Sequence, residues 1–462
     1  MKTSYILYLV LFIIIQLSCT TEDEIISDNP DYQLTFSSDT ITFDTVFTSL
    51  GSVSKRLMVH NPNPNALIIE KIYVGNGMES PYSITVGGKE SNFIENQHIL
   101  GNDSLLVLVS VTIDPTAASL PFVVRDSIVF ITNDNLQNVK LQSWGQNAHF
   151  LGDSILSCET TWIPDLPYFL FGSILVDSLC TLTIEKGVQV YSSFDTYIFI
   201  KGSLSINGTA DERVLFRNER LEPKYENVPG QWGGIIFLEG SKNNFIEYAD
   251  IRNVQYGIRL GTPDNDTIPD LILKHVRIEN SATGGIMAFT SDLIAENTLV
   301  NTSAGFTVGN IAGGNYTYNH CTIVNYPIDF FSGQSSLVMT DNLDLDDGNT
   351  ITEPLNIKIF NSIIWGYLDE EVIVNVELAD EFKLLSQNSI FKTSLDIFEG
   401  EGNFISTETD FMQFANIENY DYTPDSLSPA VDNAIGSEML IDLFENQRDS
   451  LPDIGAIEYL FN

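Results

Sequence analysis

The stretch from residue 232 to 260, WGGIIFLEGSKNNFIEYADIRNVQYGIRL, constrains the fold more than any other part of the chain. Two short β-branched runs with apolar residues at alternate positions (Ile235 and Phe237; Phe245, Tyr248 and Ile251) are joined by Gly and Asn, and an Asn-bearing bend leads into a third run from Tyr256 to Leu260. Strands this short cannot bury a face alone, so the stretch is stable only if copies of it stack on one another. Copies are present. Ile184 and Ile206 close the triplets LTI and LSI, 22 residues apart. Later copies align on an apolar residue, a variable one and Asn: Ile251-Arg252-Asn253, Ile278-Glu279-Asn280, Leu299-Val300-Asn301 and Ile323-Val324-Asn325, with successive Asn 27, 21 and 24 residues apart. NSIIWG (361–366) and NSIFKT (388–393) keep the strand and lose the final Asn.

A period of this length also suits a leucine-rich horseshoe, but no LxxLxL frame recurs and no copy has a helical half. Winding two or three strands per copy into successive coils places each strand beside its counterpart, about 4.8 Å along the axis. Like positions then stack on like, giving inward aliphatic ladders and an Asn ladder through Asn253, Asn280, Asn301 and Asn325. The expected fold is all-β, a parallel β-helix of about nine coils, on the order of 40 to 45 Å long. Over residues 155–405 the chain resembles the right-handed, pectate-lyase-like β-helix proteins.

Residues 33–148 read differently, as seven or eight strands separated by turns with no helical period, which predicts an N-terminal β-sandwich. The phrases FDTVFTSLGSVSKRLMVHNPNPNALIIEKIYV, DSLLVLVSVTIDPT and RDSIVFITNDNLQNVKLQSWGQ resemble immunoglobulin-like domains of the ASPM, SPD-2 and hydin type. That resemblance implies a spacer or binding module without catalytic residues. Residues 1–19 carry a Lys2 start, an apolar run and Ser18 before Cys19, the layout of a secretory signal too short to span a bilayer comfortably. The Cys at the cleavage point resembles a bacterial lipoprotein signal, which implies a lipid on Cys19 and an outer-membrane anchor. The acidic tether of residues 20–32, with Glu22, Asp23 and Glu24, resembles the signal that sends Bacteroidetes lipoproteins to the cell surface; a plain solvated linker is the alternative.

Residues 406–462 are expected to cap the far end of the helix, since an open end exposes strand edges. Their SPAVDNAIG and PDIGAIEY resemble a C-terminal signature that follows β-helices in many bacterial surface proteins, with Asp432 and Asp453 as turn carboxylates. The whole arrangement resembles a family of uncharacterised Bacteroidetes surface lipoproteins.

Charge narrows the partners. Lys plus Arg is 22 and Asp plus Glu is 62, a net −40, which repels a phosphate backbone and excludes nucleic acid. Such acidity is a solvated, self-repelling surface or a store of oxygen ligands for Ca²⁺. The insertion at 332–354 carries TDNLDLDDGNT, whose Asp341, Asp344, Asp346 and Asp347 are the candidate Ca²⁺ ligands, although their spacing is not that of an EF-hand. Polysaccharide lyases on the scaffold that the chain resembles use Ca²⁺ and an Arg or Lys base. The candidate catalytic residues are then Asp250, Arg252, Lys274 and Arg277, which alternate outward on neighbouring strands. His60, His98, His149, His275 and His320 show no zinc spacing. Cys158 and Cys180 are one coil apart, so a disulfide is geometrically possible. Trp232 and Trp365 lie in strand-forming runs and are expected to pack rather than stack on sugars. The reading these features support is a surface lipoprotein whose rod binds glycans or other surface components in a non-catalytic or accessory role. A Ca²⁺-assisted polysaccharide lyase or glycoside hydrolase is the first alternative, and a structural or adhesive rod the second.

Overall fold

A computed structural model describes residues 25–460 apart from 117–119, 262, 264–265, 267, 327–332, 347 and 437–438. Cys19, residues 20–24 of the acidic tether with Glu22, Asp23 and Glu24, and Asp347 therefore lie outside the described residues. The chain forms two compact units, Met1–Asn147 and Ala148–Asn462. Among the described residues no helix is long and apolar enough to cross a membrane.

The first unit holds two five-stranded sheets over one core. One sheet orders Thr35–Phe36, Lys55–His60, Ser104–Val111, Tyr82–Val86 and Lys89–Ser91; the other orders Thr40–Phe47, Asn135–Gln146, Phe122–Thr132, Leu67–Val74 and Phe93–Ile99. Alternation explains the packing, since Leu57, Val59, Val107 and Val109 from one sheet meet Ile69, Ile72, Ile128 and Phe130 from the other. The sheets hold ten strands where the sequence predicts seven or eight; the edge strand Phe93–Ile99, FIENQHI, shows little apolar alternation because its polar middle faces water.

In the second unit the strands stack in parallel as three sheets, which among the described residues make nine complete coils. The first sheet begins with His149–Leu151 and Tyr168–Leu170, the second with Ser154–Ile155 and Ile174–Val176, the third with Thr160–Trp162 and Thr181–Glu185. An unbroken inward column on the second sheet runs Ile174, Ile198, Ile235, Ile258, Ile286, Val308, Leu337 and Val372. Each member is buried, and burying such a side chain stabilises by about 1.5 to 3 kcal/mol. Cys158 and Cys180 form a disulfide between the first two coils, with Cα atoms 4.4 Å apart.

Left-handed residues turn two of the corners. Between the third and first sheets stand Tyr248, His275, Asn297, His320, Asn361 and Asn388, with φ of 44 to 53°. Between the first and second sheets stand Asn253, Asn280 and Thr302, with φ of 62, 59 and 56°. The Asn ladder is therefore partly misplaced in the sequence expectation. Val300, not Leu299, pairs with Ile278, so Asn301 sits opposite Glu279, one residue short of the corner. The ladder itself includes Asn218, whose Oδ1 accepts from Asn253 Nδ2 at 2.8 Å, and Asn280 Nδ2 donates in turn to Asn253 Oδ1 at 3.3 Å. Asn325 Oδ1 accepts from the Ser303 N–H at 3.0 Å, whereas Asn301 Nδ2 donates to Glu279.

Residues 406–460, expected as an end cap, run along the side of the coils. Met412, Tyr422, Ala430, Ala434, Leu443, Ile454 and Ala456 join Leu299, Val324, Ile363, Trp365 and Ile390 from the outer face of the first sheet in one apolar cluster. The segment also closes the left-handed corner: Asn297 Nδ2 donates to Ile441 O at 2.9 Å, and Asn361 Oδ1 accepts from Ile435 N at 3.1 Å.

Candidate functional site

Asp250 and Arg277 face each other on successive coils of the first sheet. The carboxylate of Asp250 is gripped from both sides, by Arg213 Nε at 2.8 Å and by the Arg277 guanidinium. Burial raises its pKa, but the two guanidinium groups outweigh that and hold it below the usual carboxylate range. Arg213 also donates to His275 O at 2.6 Å and to Leu443 O at 3.5 Å, and Arg277 lies over the Phe444 ring at 5.6 Å. This trio is thus tied to the C-terminal segment. Arg252 is on the same face but pairs with Glu279 at 2.7 Å, and Lys274, on the third sheet, pairs with Glu296 at 2.9 Å. Of the four candidates only Asp250 and Arg277 come together, and their contacts are those of ion pairs bracing adjacent coils.

The acidic insertion is also dispersed. Asp341 is buried and accepts from the N–H groups of Glu377 and Leu378 and from Asn342. Asp344 accepts from Thr350 Oγ1 at 2.6 Å within a small hairpin, Asn342–Asp344 against Thr350–Thr352, and Asp346 is exposed. Among the described residues no three His, Cys, Asp or Glu side chains are grouped so as to hold a metal ion. Trp232 and Trp365 are buried, Trp232 beside Phe216 and Trp365 beneath Phe411.

Two surfaces remain. One is the outer face of the second sheet. Its residues alternate with the inward column, so Phe199, Ile236, Arg259, Met287, Gly309 and Val338 form one outward row. Tyr197, Gly234, Tyr256, Gly284 and Phe306 form a second. Tyr197, Phe199, Tyr256, Phe289 and Phe306 are each half-buried, while Ile236, Met287 and Val338 between them are buried. Tyr197 and Phe199 stack at 5.6 Å, and the Arg259 guanidinium lies 5.1 Å over Phe289. Glycine is required in the floor: a Cβ on Gly284 would come within 2.5 Å of Met287, and one on Gly233 would enter the Tyr197 ring. The result is a shallow aromatic platform with one cation. Alternation in YIFI is a signal of it, whereas in YGIRL a register shift beside Tyr256 turns that ring to the outer face against simple alternation.

The other is a pocket of about 160 Å³, lined among others by Asp266, Asp270, Asp292, Asn315, Glu353 and Asn356. Asn356 Nδ2 donates to Asn315 Oδ1 at 3.0 Å, Asn315 Nδ2 to Asp292 Oδ1 at 2.6 Å, and the Asp292 N–H to Asp270 Oδ2 at 2.8 Å. These links stitch four coils together along one polar column.

Residues 154–347 match the family model of the pectate-lyase like beta helix domain. No curated protein matches the chain. Among solved structures, a family 123 glycoside hydrolase from Clostridium perfringens is similar at 9% identity over 29% of this chain and 30% of its own, with a TM-score of 0.19. A protein of unknown function from Porphyromonas gingivalis W83 is similar at 11% identity over 27% and 60%, with a TM-score of 0.18. The Agl-KA catalytic domain is similar at 8% identity over 74% and 81%, with a TM-score of 0.22. The chain thus spans less than two thirds of the first two. The match to the family model is what bears on the chain, and it agrees with the stacked coils.

Proposed function

We propose that the chain is a bacterial surface lipoprotein that binds glycans on the outer face of the second sheet without turning them over. The observation that carries this reading is the platform of Tyr197, Phe199, Tyr256, Phe289 and Phe306 with Arg259 among them. Half-exposed rings on a glycine floor offer flat apolar surface to the C–H faces of sugars, and a cation beside them offers hydrogen bonds to hydroxyls. The match of residues 154–347 to a pectate-lyase like helix fits a carbohydrate-related role. In this reading a lipid on Cys19 holds the protein at the outer membrane, and an immunoglobulin-like first unit acts as a spacer.

A glycan array followed by calorimetry tests it. The double variant Tyr256→Ala, Phe289→Ala is expected to lose at least about tenfold in affinity for any glycan bound, with its unfolding midpoint little changed. Release of reducing ends or of an unsaturated product from that glycan would overturn the non-catalytic reading. A glycoside hydrolase is the second reading, favoured by the carboxylates of the acidic pocket, since hydrolysis uses two carboxyl groups roughly 5 to 9 Å apart.

A further inference from the structure

In a chain of net charge −40, the outer face of the first sheet brings cations together. Tyr191 and Arg217 are paired in register, and Arg217 follows Phe216, which is paired with Ile251, so Arg217 and Arg252 occupy adjacent coils. That spacing sets the two backbone positions about 4.8 Å apart along the axis, with no carboxylate between them in the column. The other half-buried arginines of this face are each held by a carboxylate: Arg213 and Arg277 by Asp250, Arg220 by Glu222, Arg252 by Glu279. Arg217 has no such partner. Among the described residues it makes neither an ion pair nor a hydrogen bond, and its Nε is buried and unsatisfied, as is Nε of Arg252. Burial lowers its pKa, Tyr191 raises it, Arg252 lowers it and the Glu226 charge raises it.

Glu279 neutralises Arg252 but not Arg217, and a desolvated guanidinium is unfavourable unless something negative completes the arrangement. The neighbourhood can receive it. The 219–231 loop, which borders the pair, is tied down where Asn253 Nδ2 donates to Glu226 O at 2.9 Å. The same loop carries Tyr225, with Arg220 4.0 Å and Lys224 4.8 Å from its ring centre. We infer that Arg217 and Arg252, flanked by Tyr191, form a binding site for an oxyanion on a sugar, the carboxylate of a uronate or the sulfate of a sulfated residue. Planar forks suit such groups, because each guanidinium presents parallel N–H donors to two oxygens. The remaining negative charge does not forbid it, since at physiological salt charges more than about 8 Å away are largely screened. The inference deepens the glycan-binding reading and rests on it for the sugar, but not for the anion.

The test uses the full chain and Arg217→Gln, with Arg217→Lys as the variant that keeps charge without the fork. Unfolding midpoints are compared in sodium sulfate and sodium chloride at matched ionic strength. Sulfate raises the midpoint of most proteins by exclusion, so the readout is the extra rise in the native chain over Arg217→Gln. Calorimetry then uses an oligogalacturonate, a heparin-derived hexasaccharide and a neutral oligosaccharide. The expected result is an extra sulfate response in the native chain alone, and a loss of at least tenfold in affinity for one anionic oligosaccharide in Arg217→Gln, with a smaller loss in Arg217→Lys. Which anionic probe loses distinguishes carboxylate from sulfate. Equal sulfate responses together with equal affinities, or no anionic probe bound by the native chain, would overturn the site. Loss of neutral binding in Tyr256→Ala, Phe289→Ala bears only on the platform, so the two readings fail separately.

Discussion

Glu371 shows how a single side chain can set a pH dependence in this fold. It is fully buried at the turn after Trp365, and its two oxygens accept from the N–H groups of Ser336 and Leu368 and from Ser336 Oγ. Burial dominates over those bonds and over the nearby Lys392, and pushes its pKa up to about 7. In the unfolded chain a Glu titrates near ~4.3. The folded state therefore holds the proton more tightly, and the stabilisation is fully present below about pH 4 and lost as pH rises through 7. At about 1.4 kcal/mol per unit, the loss is on the order of 3 kcal/mol. Asp453, raised to about 6 by burial, acts with the same sign. His275 and His320, pushed down to about 4 and about 3 by burial, act with the opposite one: their contribution is present above the unfolded value near ~6.5 and lost as pH falls through the folded pKa. Glu371→Gln imitates the protonated form and leaves the other three in place. Its unfolding midpoint should match that of the native chain at about pH 4, exceed it increasingly up to about pH 7, and keep that margin from there to pH 8. A constant difference across that range would mean that Glu371 does not titrate there.

At the scale of the elements, the C-terminal segment is the part that the sequence concealed. The coils were legible because alternating aliphatics at a regular interval leave few other ways to bury a face, and the inward column from Ile174 to Val372 follows that pattern without a break. The Asn column was half legible. Where two apolar residues precede the Asn, as in Leu299-Val300-Asn301, periodicity alone does not say which of them points inward. Leu299 points out because the segment covers it. The same ambiguity hid the platform, since an outward Phe and an inward Ile look alike until a face is assigned. Arg448 locks the segment: with its side chain 1% exposed it pairs with Glu458 at 2.8 Å, donates to Gly455 O at 2.9 Å and reaches Asn297 Oδ1 of the helix at 3.0 Å. Arg448→Ala leaves Glu458 buried without its cation, a change that costs roughly 3 to 5 kcal/mol. The segment should then open before the coils do, and limited proteolysis should cut between residues 406 and 460 in the variant under conditions that leave the native chain intact. Equal resistance in both would show that the apolar cluster alone holds the segment.

For the molecule as a whole, stacking identical positions has a cost that net charge makes acute, because like charges on adjacent coils would stand about 4.8 Å apart. One outward column of the third sheet shows how the sequence avoids this. It runs Glu185, Asn207, Glu247, Lys274, Glu296 and Asn319, so that an amide or an amine separates each carboxylate from the next. What remains of the net −40 is repulsion over longer distances, which salt screens. Native unfolding midpoints should therefore rise only modestly between about 10 mM and 300 mM NaCl, as the screening length falls from roughly 30 Å to below 8 Å. Lys274→Glu removes the interruption and sets three carboxylates in a row. Lys274 has a side chain 39% exposed and pairs with Glu296 at 2.9 Å, so the pair itself contributes only about 0 to 1 kcal/mol. The larger effect is the new repulsion, which is electrostatic and reachable by ions. The variant should unfold well below the native chain at low salt and recover most of the difference at high salt. If the loss were the same at both concentrations, the Lys274 stem would be acting through packing, and the spacing of charges along the coils would not be what lets so acidic a chain stack.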